Sequence, residues 1–122
     1  MIAIFAGCWT RGDPLTIYGD GSAERDYLYV SDAVAAILAA LDRSATGTYN
    51  IGTGVATSVT ELVRQMTALL GPPKQVIRAG ERQGEIQRSC LDSSKAARDN
   101  LWRSSVPLGE GLRRTVDAMR PT

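Results

Sequence analysis

LTIYGDGSAERDYLYV, residues 15–30, is the stretch on which the rest of the chain is organised. Two runs rich in β-branched and aromatic residues, Leu15 to Tyr18 and Tyr27 to Val30, read as strands. The polar segment between them holds Gly19-Asp20-Gly21 and ends in Arg25-Asp26, so it reads as a turn that reverses the chain. An arginine at the edge of such a turn presents a planar fork of donors to an anion. Arg25 is therefore the first candidate for function.

Working outward, Met1 to Arg11 reads as an apolar helix stopped by Gly12-Asp13-Pro14. After Val30, Ser31 and Asp32 open a helix over Ala33 to Arg43, whose Val34, Ile37, Leu38 and Leu41 form one stripe expected to face the core. Thr48 to Ile51 reads as a strand. Ser58 and Glu61 stand three apart as a capping box for a helix from Val59 to about Leu70, and Gly71-Pro72-Pro73 ends it. Gln75 to Ala79 and Ser89 to Leu91 read as strands around a polar loop, Gly80 to Gln87, that carries Arg82 and Glu85. Asp92 or Ser93 caps a short helix reaching Asn100, and Pro107 opens a last helix to about Met119. The pattern is α/β: a small mixed sheet with four to five helices, in one domain over residues 1–122, without internal repeats.

Composition narrows the function. Fourteen basic residues against thirteen acidic leave a net charge of +1, which gives no footprint for nucleic acid and disfavours a helical-hairpin DNA binder. Histidine is absent, which removes the commonest general base, the commonest metal ligand and any Ser-His or Cys-His nucleophile pair. No metal site is expected. Cys8 and Cys90 lack metal or redox spacing and read as reduced thiols of a cytoplasmic protein. Ala6-Gly7-Cys8 imitates a lipoprotein cleavage site, but a short apolar run with no basic segment before it reads as a decoy. Ala33 to Leu41 is far too short to span a membrane.

Gly52-Thr53-Gly54 imitates the start of a dinucleotide fingerprint, but Thr57 stands where the third glycine belongs. A tight turn is the simpler reading. None of Tyr18, Tyr27, Tyr29 and Tyr49 has a lysine four residues on, so no phenol–lysine acid/base pair is present. Asp20, Asp26 and Asp32 read as turn and cap residues. By residue physics alone, the simpler role for Arg25, Arg82 and Glu85 is surface ion pairing.

Four motifs in order change that balance: LTIYGDGSAERDYLYVSD, TYNIGTG with SVTEL, ERQGEIQRSCLDSSKAARDNLWR, and VPLGEGLRRTV. Together they resemble the carboxy-terminal, substrate-binding portion of the extended short-chain dehydrogenase/reductase family. The likeness is strongest to its NAD-dependent epimerase/dehydratases of nucleotide sugars and to the UDP-glucose 4-epimerase branch among them. The resemblance implies that Thr16 and Tyr18 lie on the segment that holds the uracil ring. It implies that Arg25 and Arg82 contact the diphosphate and that Glu85 meets the ribose hydroxyls. The family's glycine-rich cofactor turn and its Tyr-x-x-x-Lys pair have no counterpart in these 122 residues. The expectation is thus a UDP-sugar-binding domain, inactive alone, with no catalytic or NAD-binding residues of its own. Weak UDP or UDP-sugar binding and a homo-oligomer, a dimer, are expected. The alternatives are a half-enzyme completed by a separate cofactor-binding chain and a non-catalytic interaction module.

Overall fold

A computed structural model describes residues 1–119. The elements run α1 (Ile2–Arg11), β1 (Leu15–Tyr18), β2 (Glu24–Asp26), α2 (Val30–Asp42), β3 (Ala56–Ser58), α3 (Val59–Leu70), β4 (Val76–Ala79), β5 (Arg88–Ser89), α4 (Ser94–Arg98) and α5 (Leu108–Met119). Among the described residues, five helices with small sheets agree with the α/β expectation.

The sheet is split in two. β1 pairs with β4 in parallel, Leu15 opposite Val76 through Tyr18 opposite Ala79. The second sheet has the order β3-β2-β5, with β2 antiparallel to β3 and parallel to β5. The expected reversal between the two runs of residues 15–30 is therefore corrected. Gly19 and Gly21 adopt left-handed φ of 65° and 81°, and the chain leaves one sheet for the other. A Cβ on Gly21 would stand 2.5 Å from Thr60 Oγ1, so glycine is required there for space as well as for torsion.

Tyr27 to Val30 is not a strand. The paired residues are Glu24 to Asp26, Tyr29 is the residue capping α2, and Val30 is already helical. Tyr27 packs on one core and Leu28 on the other, so burial overrides their β-propensity. Thr48 to Ile51 has no strand partner among the described residues, and Tyr49 and Ile51 pack on the second core instead. The expected strand at Ser89 to Leu91 is the shorter Arg88–Ser89. Residues 56–58, unassigned from sequence, form β3.

The main core joins α1, β1, α3 and α5 through Phe5, Leu15, Ile17, Leu62, Met66 and Leu112. The second core holds Ala36, Ala96, Leu101 and Trp102. α3 follows the expected bounds, and Ser58 Oγ accepts the Glu61 amide at 3.1 Å. The reciprocal half of the capping box is missing, because Glu61 turns to Arg64 and Gln65.

The stripe on α2 is a second correction. Val34, Ile37, Leu38 and Leu41 are exposed, Leu41 by 70%, while Ala36 and Asp32 face inward. α2 rolls its small face toward Ala96 and Trp102, and its bulky face is left uncovered by the described residues. Asp32 is no cap. Its buried carboxylate accepts the amides of Ser105 and Val106, each at 2.9 Å, and the Ser105 hydroxyl at 2.7 Å. It ties the start of α2 to the segment leading into α5.

Candidate nucleotide-binding site

Alternation along β1 prepares the site. Leu15 and Ile17 point into the main core, so Thr16 and Tyr18 face the other way. They border a cavity of about 330 Å³ at the margin of the main core, lined also by Ile17 and by Arg82 and Glu85 from the segment between β4 and β5. Phe5 and Cys8 of α1 close its far wall. That volume falls in the range of small-ligand sites. A second hollow, of about 360 Å³, adjoins it and is lined by Arg25, Arg82 and Glu85. All five residues expected to bind ligand thus stand around two cavities that share Arg82 and Glu85.

The charges are paired internally. The Arg82 guanidinium lies 3.7 Å from the centroid of the Tyr18 ring, a cation–π contact. Arg25 Nη2 stands 3.7 Å from Glu85 Oε1, with both side chains about a quarter exposed. Arg25 Nη1 also donates to the Glu24 carbonyl at 2.7 Å, which fixes the guanidinium close to its own strand. Next to it, burial pushes the Tyr27 phenol above its ordinary range, partly countered by the Arg25 charge.

On β2, successive side chains leave opposite faces of the strand, so Asp26 points away from Arg25. Its carboxylate accepts the amides of Thr53 and Gly54, each at 3.0 Å, the Thr53 hydroxyl, and the Leu91 amide at 3.4 Å. Burial pushes this carboxyl up, but the Thr53 hydroxyl and the three amides outweigh it and hold it below the usual carboxylate range. Gly52-Thr53-Gly54 is therefore an anion cradle whose anion is Asp26. The described residues do not fit a nicotinamide dinucleotide at that turn, because its amides are already committed.

A larger hollow of about 830 Å³ lies beside this turn. Its polar groups are also largely engaged: Ser93 exchanges bonds with Gly52, and Arg88 pairs with Glu24. The cavities around Arg82 are the better candidate, since Arg25, Arg82 and Glu85 line one of them together.

The sequence reading missed two things here. The α1 wall was legible in the four-and-three spacing of Met1, Phe5 and Cys8, had α1 been placed against β1. Asp26 gave no local signal, since its partners are 27 or more residues away.

The NAD dependent epimerase/dehydratase family matches residues 1–52. The UDP-glucose 4-epimerase of Mycolicibacterium smegmatis is 36% identical over 121 residues, which is 98% of this chain and 39% of that protein. The chain belongs to the NAD-dependent epimerase/dehydratase family. The crystal structure of the Thermotoga maritima UDP-glucose 4-epimerase with UDP-glucose superposes with a TM-score of 0.87 at 38% identity, over 95% of this chain and 38% of that one. The Thermus thermophilus UDP-glucose 4-epimerase in complex with NAD gives 0.86 at 37% identity, again over 95% and 38%. The chain thus spans about two-fifths of the length of these epimerases. Among the described residues, no helix is long and apolar enough to cross a membrane.

Proposed function

We propose that this chain is the nucleotide-sugar-binding wall of an epimerase/dehydratase, able to hold a UDP-sugar and without epimerase activity by itself. The observation that carries the reading is the meeting of Arg25, Arg82 and Glu85 at one hollow, beside a cavity walled by Thr16 and Tyr18. A diphosphate between the two arginines replaces the internal Arg25–Glu85 pairing with stronger charge-assisted bonds. Release of Glu85 frees its carboxylate for vicinal ribose hydroxyls. The pyrimidine lies against the Thr16 and Tyr18 side of β1, where the stacked Arg82 must shift or share the ring.

The same residues supply no chemistry on the sugar. Hydride transfer requires a cofactor held against the sugar carbon, and a base to take the hydroxyl proton. The Thr53 and Gly54 amides are committed to Asp26 and the Gly52 amide to Ser93, and no histidine or tyrosine–lysine pair is present. Calorimetric titration with UDP tests the reading. Saturable heat is expected, and its absence at millimolar UDP overturns it.

A second observation, the bare apolar face of α2, supports an added assembly role. Self-association as a dimer covers Val34, Ile37, Leu38 and Leu41. Docking of a separate cofactor-binding chain covers the same face and completes an active site. Light scattering with and without such a chain separates the two. The convergence of Arg25 and Arg82 speaks against a module that has lost its ligand altogether.

A further inference from the structure

We propose that Asp26 is the positioning residue for the diphosphate arm of this site, acting through the back of β2. The inference rests on the nucleotide-sugar reading above and extends it to a residue that touches no ligand.

The two halves of the site sit on different sheets. Thr16 and Tyr18 belong to the β1–β4 pair, and Arg25 belongs to β3-β2-β5. Arg82 and Glu85 lie in the connection between them, tied to one sheet at β4 and to the other at β5. The second sheet is small. β2 meets β5 over two registered pairs, Glu24 with Arg88 and Arg25 with Ser89. Such a short ladder does not by itself fix where β5, and the arginine loop before it, will lie.

Asp26 supplies what the ladder lacks. Its one carboxylate gathers the turn before β3 and the residue Leu91 just beyond β5 onto the end of β2. The gathering is tight: a Cβ at Gly52 would stand 2.6 Å from Asp26 Oδ2 and 3.0 Å from the Leu91 Cβ. Asp26 therefore holds the flanks of the strand on one face while Arg25 leaves the other. The bonds reach no part of the β1–β4 pair, so the pyrimidine wall does not depend on them.

The test is Asp26→Asn, titrated with UDP and with uridine. Asparagine keeps the shape but turns an amide toward donors. The expected result is about a tenfold loss of UDP affinity with uridine affinity unchanged. Equal loss for both ligands, with a lower melting temperature, shows a merely structural role and overturns the proposal. Thr53→Val removes one donor, leaves the carboxylate, and should shift UDP affinity in the same direction by a smaller factor; it serves if Asp26→Asn does not fold. If the unsubstituted chain binds neither ligand, the nucleotide reading fails on its own. The positioning claim is then read by NMR. Asp26→Asn should speed amide exchange at Thr53, Gly54 and Leu91 and loosen the Arg25 Nε–H, and unchanged values at these sites overturn it.

Discussion

Replacing Asp32 should be among the most damaging single changes in the chain. Asp32 is 2% exposed and holds three donors from the segment before α5. Asp32→Ala leaves two amides and one hydroxyl without their acceptor, at about 1–3 kcal/mol each where water cannot enter. Allowing for partial relaxation, the loss is about 4 kcal/mol. At roughly 2.1 cal/mol/K per residue, a chain of 122 residues loses ~4 °C of Tm per kcal/mol, so Tm should fall by about 16 °C. Asp32→Asn can keep all three contacts, with its carbonyl on the two amides and its NH₂ on the Ser105 oxygen. It loses charge assistance alone, about 2 kcal/mol or about 8 °C. Burial raises the Asp32 carboxyl, but the Ser105 hydroxyl, the Val106 and Ser105 amides and the Arg114 charge hold it below its ordinary value. The folded state therefore binds this proton less readily than the unfolded chain. Its stabilisation is complete above the unfolded value, ~4, and is lost as pH falls toward the lower folded one. Thermal melts followed by circular dichroism from pH 7 to pH 3 check this. The gap between the unsubstituted chain and Asp32→Asn should close as the pH falls. A gap that stays constant, or an Asp32→Ala loss below about 1 kcal/mol, refutes the reasoning.

Leu62 is fully buried in the main core, and Leu62→Ala should cost about 2–5 kcal/mol in a urea melt, through lost burial and the cavity left behind. Arg25→Ala and Arg82→Ala should each weaken UDP by about 10- to 100-fold in calorimetry, since each removes one charge-assisted partner of the diphosphate, and Arg25→Ala should leave uridine nearly unaffected. Ile37→Lys and Leu41→Lys on the exposed face of α2 should change stability by less than about 0.5 kcal/mol. The same two changes should abolish dimers at tens of micromolar by light scattering, and a chain already monomeric there refutes self-association.

The family resemblance, rather than local chemistry, brought the residues of the candidate site together. Thr16, Tyr18, Arg25, Arg82 and Glu85 were named together because four ordered motifs carried them, and they do stand around shared cavities. Periodicity, stop residues and the Ser58 cap were enough to bound α1, α3, β1 and β4 closely, because those signals lie within a few residues of the elements they define. Asp26 and Asp32 were misjudged as turn and cap residues because each accepts from partners 27 to 74 positions away.

Residue order alone determined which segments are helical and where most of them begin. Tertiary structure alone decided that β1 and β2 belong to different sheets, that Tyr49 to Ile51 has no strand partner among the described residues, and that α2 turns alanines inward and its large apolar residues outward. The reason is physical. A helix closes its hydrogen bonds within its own few turns, whereas a strand, a buried carboxylate and the roll of a helix are each completed by atoms from distant parts of the chain.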